Sequence, residues 1–141
     1  MAAPLTGGCA CGAIRYESST QPLMVVNCHC RDCQRSSGAG SSTGVVVPAD
    51  SLTLLKGTPK YYRVTAESGN TAHRGFCSEC GSPLFAGNSH NPHVVALKIG
   101  SLDDPSWFQP QMDIFVSDAQ PWDQMNPAIP KFEQYPPSAK E

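Results

Sequence analysis

Seven cysteines lie in three tight groups, Cys9/Cys11, Cys28/Cys30/Cys33 and Cys77/Cys80, and the rest of the chain has none. An odd count is a poor disulfide framework. Spacings of two and three residues are instead what a metal site requires, because one turn can then present several sulfurs to a single ion. Whatever fold this chain adopts, it has to bring distant segments together at sulfur.

Residues two apart in an extended segment project to one side, so Cys9 and Cys11 are expected to act as a two-sulfur clamp on a strand. Cys77 and Cys80 form C-x-x-C, the spacing of a zinc knuckle. Glycine follows each doublet directly, as Gly12 and Gly81. A glycine there can take positive φ, turn the chain back over a metal and aim amide N–H groups at the thiolates. The middle group has no such glycine; Gln34 follows Cys33. This asymmetry pairs Cys9 and Cys11 with Cys77 and Cys80 in one closed four-thiolate site, read as structural zinc. The alternative is a zinc ribbon of Cys30/Cys33 with Cys77/Cys80, which leaves Cys28 with Cys9 and Cys11 alone. Structural zinc is worth about 10–16 kcal/mol in zinc-finger peptides, and an ion closing so long a loop can contribute several kcal/mol to a small domain.

Cys28, Cys30 and Cys33 offer three sulfurs, and three protein ligands with one open position is the pattern of catalytic zinc. The competing reading is that these thiols are idle or bind metal weakly, with His29 a plain strand residue. Three thiolates over-neutralise Zn2+, which makes the ion a poor Lewis acid and a poor generator of hydroxide. Such a centre suits an incoming thiol, whose pKa it lowers and which it holds as the nucleophilic thiolate. A second, reactive zinc, labile or partly occupied, and a sulfur substrate are therefore expected here.

A chain of 141 residues fits one domain, and 16% charged residues with 12 Gly and 13 Pro favour short strands and turns over long helices. Period-two or apolar runs at 13–19, 23–28, 43–48, 51–56, 60–64, 73–77, 93–99 and 112–117 predict about eight strands, the second buried on both sides. Short helical turns are expected to begin at Asp32 and near "DDPSWF", where Asp103 or Asp104 can cap and Pro105 can open. The Pro-rich end, Pro121 to Pro137, should be extended and pinned by Trp122 and Phe132. A net charge of -2 without a Lys/Arg run argues against nucleic-acid or anionic-membrane partners. The sequence has no apolar stretch of membrane-spanning length, and "MAAPLTGG" has no secretory character, so a cytoplasmic protein is expected.

The motifs "GGCACGAIRYE", "CHCRDCQRSSGAG" and "FCSECGSPLF", in this order, resemble the glutathione-dependent formaldehyde-activating enzyme family, which includes centromere-protein-V-like relatives. The likeness runs from about Gly7 to Trp122, so residues 1–122 are taken as the zinc-binding domain and 123–141 as a tail packed on it or trailing from it. The resemblance implies an all-β fold of the Mss4-like or β-tent type. It also implies zinc on Cys9, Cys11, Cys77 and Cys80, and a second zinc on Cys28, Cys30 and Cys33 beside the substrate thiol. The implied reaction joins glutathione and formaldehyde to S-(hydroxymethyl)glutathione, a carbon–sulfur lyase chemistry. The sequence departs from the family at Asp113, where many relatives carry histidine and where a lone strand Asp commonly faces solvent.

Other side chains fit either a site or an ordinary surface. Arg31 and Arg35 flank the middle cysteines and are able to clamp carboxylates, and "RSSGAG" (35–40) can offer amide donors to an anion. His73, His90 and His93 are candidate acid–base groups, whereas Trp107, Phe108, Phe115 and Trp122 read as packing. Two functions follow: a zinc enzyme acting on a thiol or thiol–aldehyde adduct, or a non-catalytic zinc-stabilised module that recognises a protein. The oligomeric state and the substrate are left open by the sequence.

Overall fold

The computed structural model describes residues 4–65 and 69–136. Among them are β1 (Leu5–Gly8), β2 (Arg15–Ser18), β3 (Met24–Cys28), α1 (Arg31–Ser37), β4 (Ser42–Pro48), β5 (Leu52–Lys56), β6 (Lys60–Thr65), β7 (Thr71–Phe76), β8 (Pro83–Asn88), β9 (Val94–Lys98) and β10 (Met112–Ile114). The class is all-β with one short helix, as the turn-rich composition implies. No helix among the described residues is long and apolar enough to cross a membrane. The chain divides into two compact units, one running to Leu23 and resuming over Val45–Trp107, the other comprising Met24–Gly44 and the chain from Phe108.

The first unit has the apolar core. β2 is central in an antiparallel sheet ordered β1-β2-β5, with Gly7 opposite Tyr16 and Tyr16 opposite Leu54. Alternation along β2 buries Tyr16 and Ser18 and turns Arg15 and Glu17 outward. β6, β7, β8 and β9 form a run of antiparallel neighbours in which Gly75 faces Phe85 and Phe85 faces Leu97. Ile14, Tyr16, Val45, Val47, Leu84, Phe85 and Leu97 are almost completely buried. The Tyr16 ring meets Phe85 edge-on, centroids 5.0 Å apart. Its hydroxyl lies 2.6 Å from Ser101 Oγ, and Ser101 spends its own proton on the Lys98 carbonyl at 2.7 Å, so Tyr16 is the donor. On the outward face Arg15 pairs with Asp103, which also accepts from Thr6; these bonds hold the Asp103 carboxyl down at about 2.

The second unit is built differently. β10 runs parallel to β3, setting Asp113 beside Asn27 and Ile114 beside Cys28. Asp113 also bridges Lys131: its amide donates to the Pro130 carbonyl at 3.0 Å and its carbonyl accepts from the Phe132 amide at 2.9 Å. Val25, Phe108 and Ile114 supply apolar burial, yet the largest fully buried side chains in this unit are His29 and Asp113. A polar interior of this kind is tolerable only when every buried group is partnered.

Several expectations from the sequence are corrected. "LMVVNC" is not buried on both sides: Val25 is buried, but Leu23 is 57% exposed and the rest are half-exposed. β1 and β8 were not anticipated, because the glycines of "LTGG" and the Pro and Gly of "PLFAGN" carry weak strand preference. The strand expected over 112–117 stops at Ile114, where Phe115 adopts a left-handed φ of 56° and the backbone enters a 3-10 turn, Val116–Asp118. "DDPSWF" forms a turn and no helix: the Asp104 carboxylate accepts from the Ser106 amide and hydroxyl, while Asp103 is held by Arg15 and Thr6. The tail is pinned at Pro130 to Phe132 by backbone bonds to Asp113; Trp122 is 67% exposed and Trp107 54% exposed, so neither is core packing. Pro137 lies outside the described residues.

Burial pushes the Tyr16 hydroxyl up to about 12. A raised acid favours folding while protonated, so this contribution is complete below about pH 10 and disappears as pH climbs through 12. Urea denaturation should therefore show wild type losing stability between these pH values more steeply than Tyr16→Phe. At neutral pH, Tyr16→Phe should cost about 1 kcal/mol and Tyr16→Ala about 3–5 kcal/mol.

Candidate metal centres

Cys9, Cys11, Cys77 and Cys80 come together in the first unit, with all four sulfurs within 4.8 Å of one another. Cys9 and Cys11 sulfurs are 3.7 Å apart and those of Cys11 and Cys77 3.8 Å apart. Four sulfurs at about 2.3 Å from a tetrahedral zinc are about 3.8 Å from each other, so the spacing fits the ion. Cys77 and Cys80 thus stand with Cys9 and Cys11 and not in a ribbon with Cys30 and Cys33. Cys9 and Cys11 converge through a turn closed by the Gly12 amide on the Cys9 carbonyl at 3.2 Å, whereas the sequence suggested a strand. The Gly81 amide closes the Cys77 turn in the same way at 2.8 Å. Gly12 and Gly81 have φ of 81° and 78°, the left-handed values that a side chain would strain.

Amide donors surround this group. The Ile14 N–H points at Cys9 Sγ at 3.2 Å and the Glu79 N–H at Cys77 Sγ at 3.4 Å. Burial works against ionisation of Cys9, but the Ile14 amide and neighbouring thiols outweigh it and lower its pKa. Hydrogen bonds from the Ser82 side chain and backbone bring Cys80 down to about 5. The Ala13 amide also favours the Cys11 thiolate, yet the sulfurs of Cys80 and Cys9 drive it up to about 12. Some sulfurs are ready to ionise and another resists, which is the behaviour of a thiolate cage that needs a cation to complete it.

Cys28, Cys30 and Cys33 form the second group, in the second unit, again with sulfurs within 4.8 Å. Cys28 ends β3 and Cys30 is the N-cap of α1, its sulfur accepting from the Cys33 N–H at 3.3 Å. Adjacent sulfurs and then burial push Cys28 far up. Cys30 is helped by Cys28, but Cys33 and burial leave it raised as well. Cys28 and Cys30 thus hold their protons more firmly than an ordinary thiol, and a divalent cation would be needed to draw them off. Cys33 is buried while Cys28 and Cys30 are half-exposed. Among the described residues these two cysteine sets are the groups able to hold a metal; no histidine or carboxylate belongs to either.

His29 was the residue that sequence reasoning undervalued. It is 2% exposed, with Nε2 2.8 Å from Asp113 Oδ1 and Nδ1 2.8 Å from Asp123 Oδ2. Asp113 does not face solvent; it is fully buried and also accepts from Asn27 Nδ2 at 3.0 Å and Lys131 Nζ at 3.0 Å. Burial opposes its ionisation, but the bonds from His29, Lys131 and Asn27 keep its carboxyl below the usual range. The alternation of "NCHC" was the available signal: Asn27 and His29 share one side of the extended run and Cys28 and Cys30 the other. Gln34 is likewise buried, donating to the His29 carbonyl at 2.7 Å and the Asp118 carbonyl at 3.0 Å.

The remaining candidates are placed elsewhere. Arg31 and Arg35 are exposed on α1, Arg31 donating to Gln34 Oε1. His90 and His93 are exposed, and His73 packs its ring edge-on against Tyr61 at 5.9 Å, its pKa lowered by burial and Arg63. Phe108 is buried and Phe115 meets Tyr135 edge-on.

A protein from Halomonas elongata, provisionally named a glutathione-dependent formaldehyde-activating enzyme, is 30% identical over 103 residues, which cover 70% of this chain and 66% of the relative. A Phaeosphaeria nodorum protein with the same provisional name is 30% identical over 115 residues, 77% of this chain and 59% of that one. The chain therefore spans about three-fifths to two-thirds of the length of these relatives. A crystal structure of a Rhodobacter sphaeroides protein superposes with a TM-score of 0.59 at 18% identity, covering 89% of this chain and 98% of that one, a likeness of fold. The family model described as glutathione-dependent formaldehyde-activating enzyme matches residues 4–118, and the chain, with its two sets of convergent cysteines, belongs to that family.

Proposed function

We propose that the chain is a zinc-dependent carbon–sulfur lyase-type enzyme acting on a thiol or thiol–aldehyde adduct, of the kind formed by glutathione and formaldehyde. The observation that carries this reading is the contrast between the two sulfur groups. Cys9, Cys11, Cys77 and Cys80 supply a full tetrahedral set lined with amide donors, which suits a permanent structural zinc. Cys28, Cys30 and Cys33 supply three sulfurs, two of them half-exposed, which leaves a place for a fourth ligand from outside. Zinc bound there would lower the pKa of an incoming thiol and hold it as thiolate.

The chain's own residues would do the rest. Cys28, Cys30 and Cys33 define the direction from which a substrate sulfur can approach. Arg31 and Arg35, one helical turn apart and exposed, would meet the carboxylates of a glutathione-like thiol. Because thiols add to formaldehyde unaided, the barrier left to remove is small, and other aldehyde adducts are natural substrates to include. The second reading, a zinc-stabilised protein-recognition module, draws on the exposed Leu54, Leu55 and Tyr62 of β5 and β6.

Metal analysis of the purified protein should return about two zinc ions per chain. Cys9→Ser should lose the fold as judged by circular dichroism, while Cys30→Ser stays folded with one ion fewer; equal damage from both would refute the division into structural and reactive sites. Exchange spectroscopy on glutathione and formaldehyde should show faster equilibration with S-(hydroxymethyl)glutathione when zinc-loaded protein is added. Cys30→Ser should reduce that acceleration by about 100-fold or more. Zinc-loaded protein that produces no acceleration with any adduct would favour the recognition module.

A further inference from the structure

All four polar groups of His29 are engaged. Its amide donates to the Ile114 carbonyl at 3.0 Å, and its carbonyl accepts from Gln34 Nε2 at 2.7 Å. The ring nitrogens face Asp113 and Asp123 at 2.8 Å each. The two carboxylates come from separate segments, β10 and the chain after Trp122, and grip opposite edges of one ring. Asp113 is itself fixed by Asn27 and Lys131, and Asn27 accepts in turn from the Thr43 hydroxyl. Gly40 is buried against Asp123: a Cβ there would come within 2.9 Å of the carboxylate carbon and 3.0 Å of the Trp122 ring.

A ring held at both nitrogens cannot turn about its Cβ–Cγ bond without losing both bonds, and a backbone held at both N–H and C=O cannot rock. His29 is thus immobilised in every torsion that matters, and it is the residue joining Cys28 to Cys30. Alternation directs its ring away from the side on which those two sulfurs lie, so its effect on them runs through the backbone.

We propose that Asp113 and Asp123 are positioning residues for the three-cysteine group: by clamping His29 from both sides they hold Cys28 and Cys30 at a spacing that favours a metal ion. The proposal rests on the reading that this group binds metal. In such centres the partners that orient the ligands are commonly worth about 10–100-fold in metal affinity.

The test uses the full chain, loaded with zinc and titrated against a chromophoric chelator, and in parallel with cobalt(II) replacing zinc. Asp113→Asn and Asp123→Asn should each weaken the second ion by about 10–100-fold while leaving the first unchanged. The cobalt–thiolate absorption of the second site should shift in both. Asp123 is the safer variant, because its side chain is 18% exposed and its loss should not unfold the unit. Val25→Ala, which removes a buried apolar side chain from β3 and whose backbone bonds go to Gln111 instead of to any member of the clamp, is the control: it should lower stability and leave the cobalt spectrum in place. If wild type takes up two ions and the Asp variants bind the second as wild type does, or if Val25→Ala weakens it equally, the clamp is wrong and the metal reading stands. If wild type takes up a single ion, the metal reading fails and the clamp proposal with it.

Discussion

Sulfur atoms this close together repel once they ionise, and that repulsion governs much else in the structure. Within the first unit the chain answers it with amide dipoles: two turns wrap backward over the sulfurs so that N–H groups at Ile14 and Glu79 face them. Those turns require the positive φ of Gly12 and Gly81, and their geometry fixes where β2 begins and how β7 is joined to β8. The apolar core, centred on Tyr16, Leu84, Phe85 and Leu97, is thereby assembled from strands that the cysteine turns introduce.

The second unit is short of apolar side chains and uses a connected polar interior instead. Thr43, Asn27, Asp113, His29, Asp123 and Lys131 are linked bond by bond, and no buried side-chain nitrogen or oxygen among the described residues lacks a partner. Such a network is stiff when complete, and each member is costly to remove because its neighbours would be left unsatisfied in a low-dielectric interior. Rigidity of this sort suits a region that brings three cysteine sulfurs within 4.8 Å of one another.

The sequence made the grouping of the cysteines legible because their spacing and the glycines after each doublet are local facts. Gly12 and Gly81 announced their turns, and the run of β-branched residues at Val45 to Val47 announced a strand. The clamp around His29 was illegible for the opposite reason. Asp113 and Asp123 lie 84 and 94 residues from it, and an aspartate on a three-residue strand looks like a surface group until parallel pairing sets it beside Asn27. Strand ends were misjudged where a backbone event decided them, as with the left-handed Phe115 that cuts β10 short. Trp122 misled by its size alone; a large apolar ring near a Pro-rich tail suggested an anchor, and the anchoring is done by the backbone around Lys131.

The two sulfur groups also differ in when they can exist. Cys28, Cys30 and Cys33 are complete as soon as one short segment has been made, whereas Cys11 must wait for Cys77, 66 residues further on. At about 5–20 residues per second, that is a delay on the order of seconds to tens of seconds. During it a nascent chain presents five thiols, and Cys9 and Cys11 have no partners of their own. Asp113 and Asp123 emerge later still, so the trio passes through that interval without the two carboxylates that grip His29, and all five sulfurs are then free to meet one another.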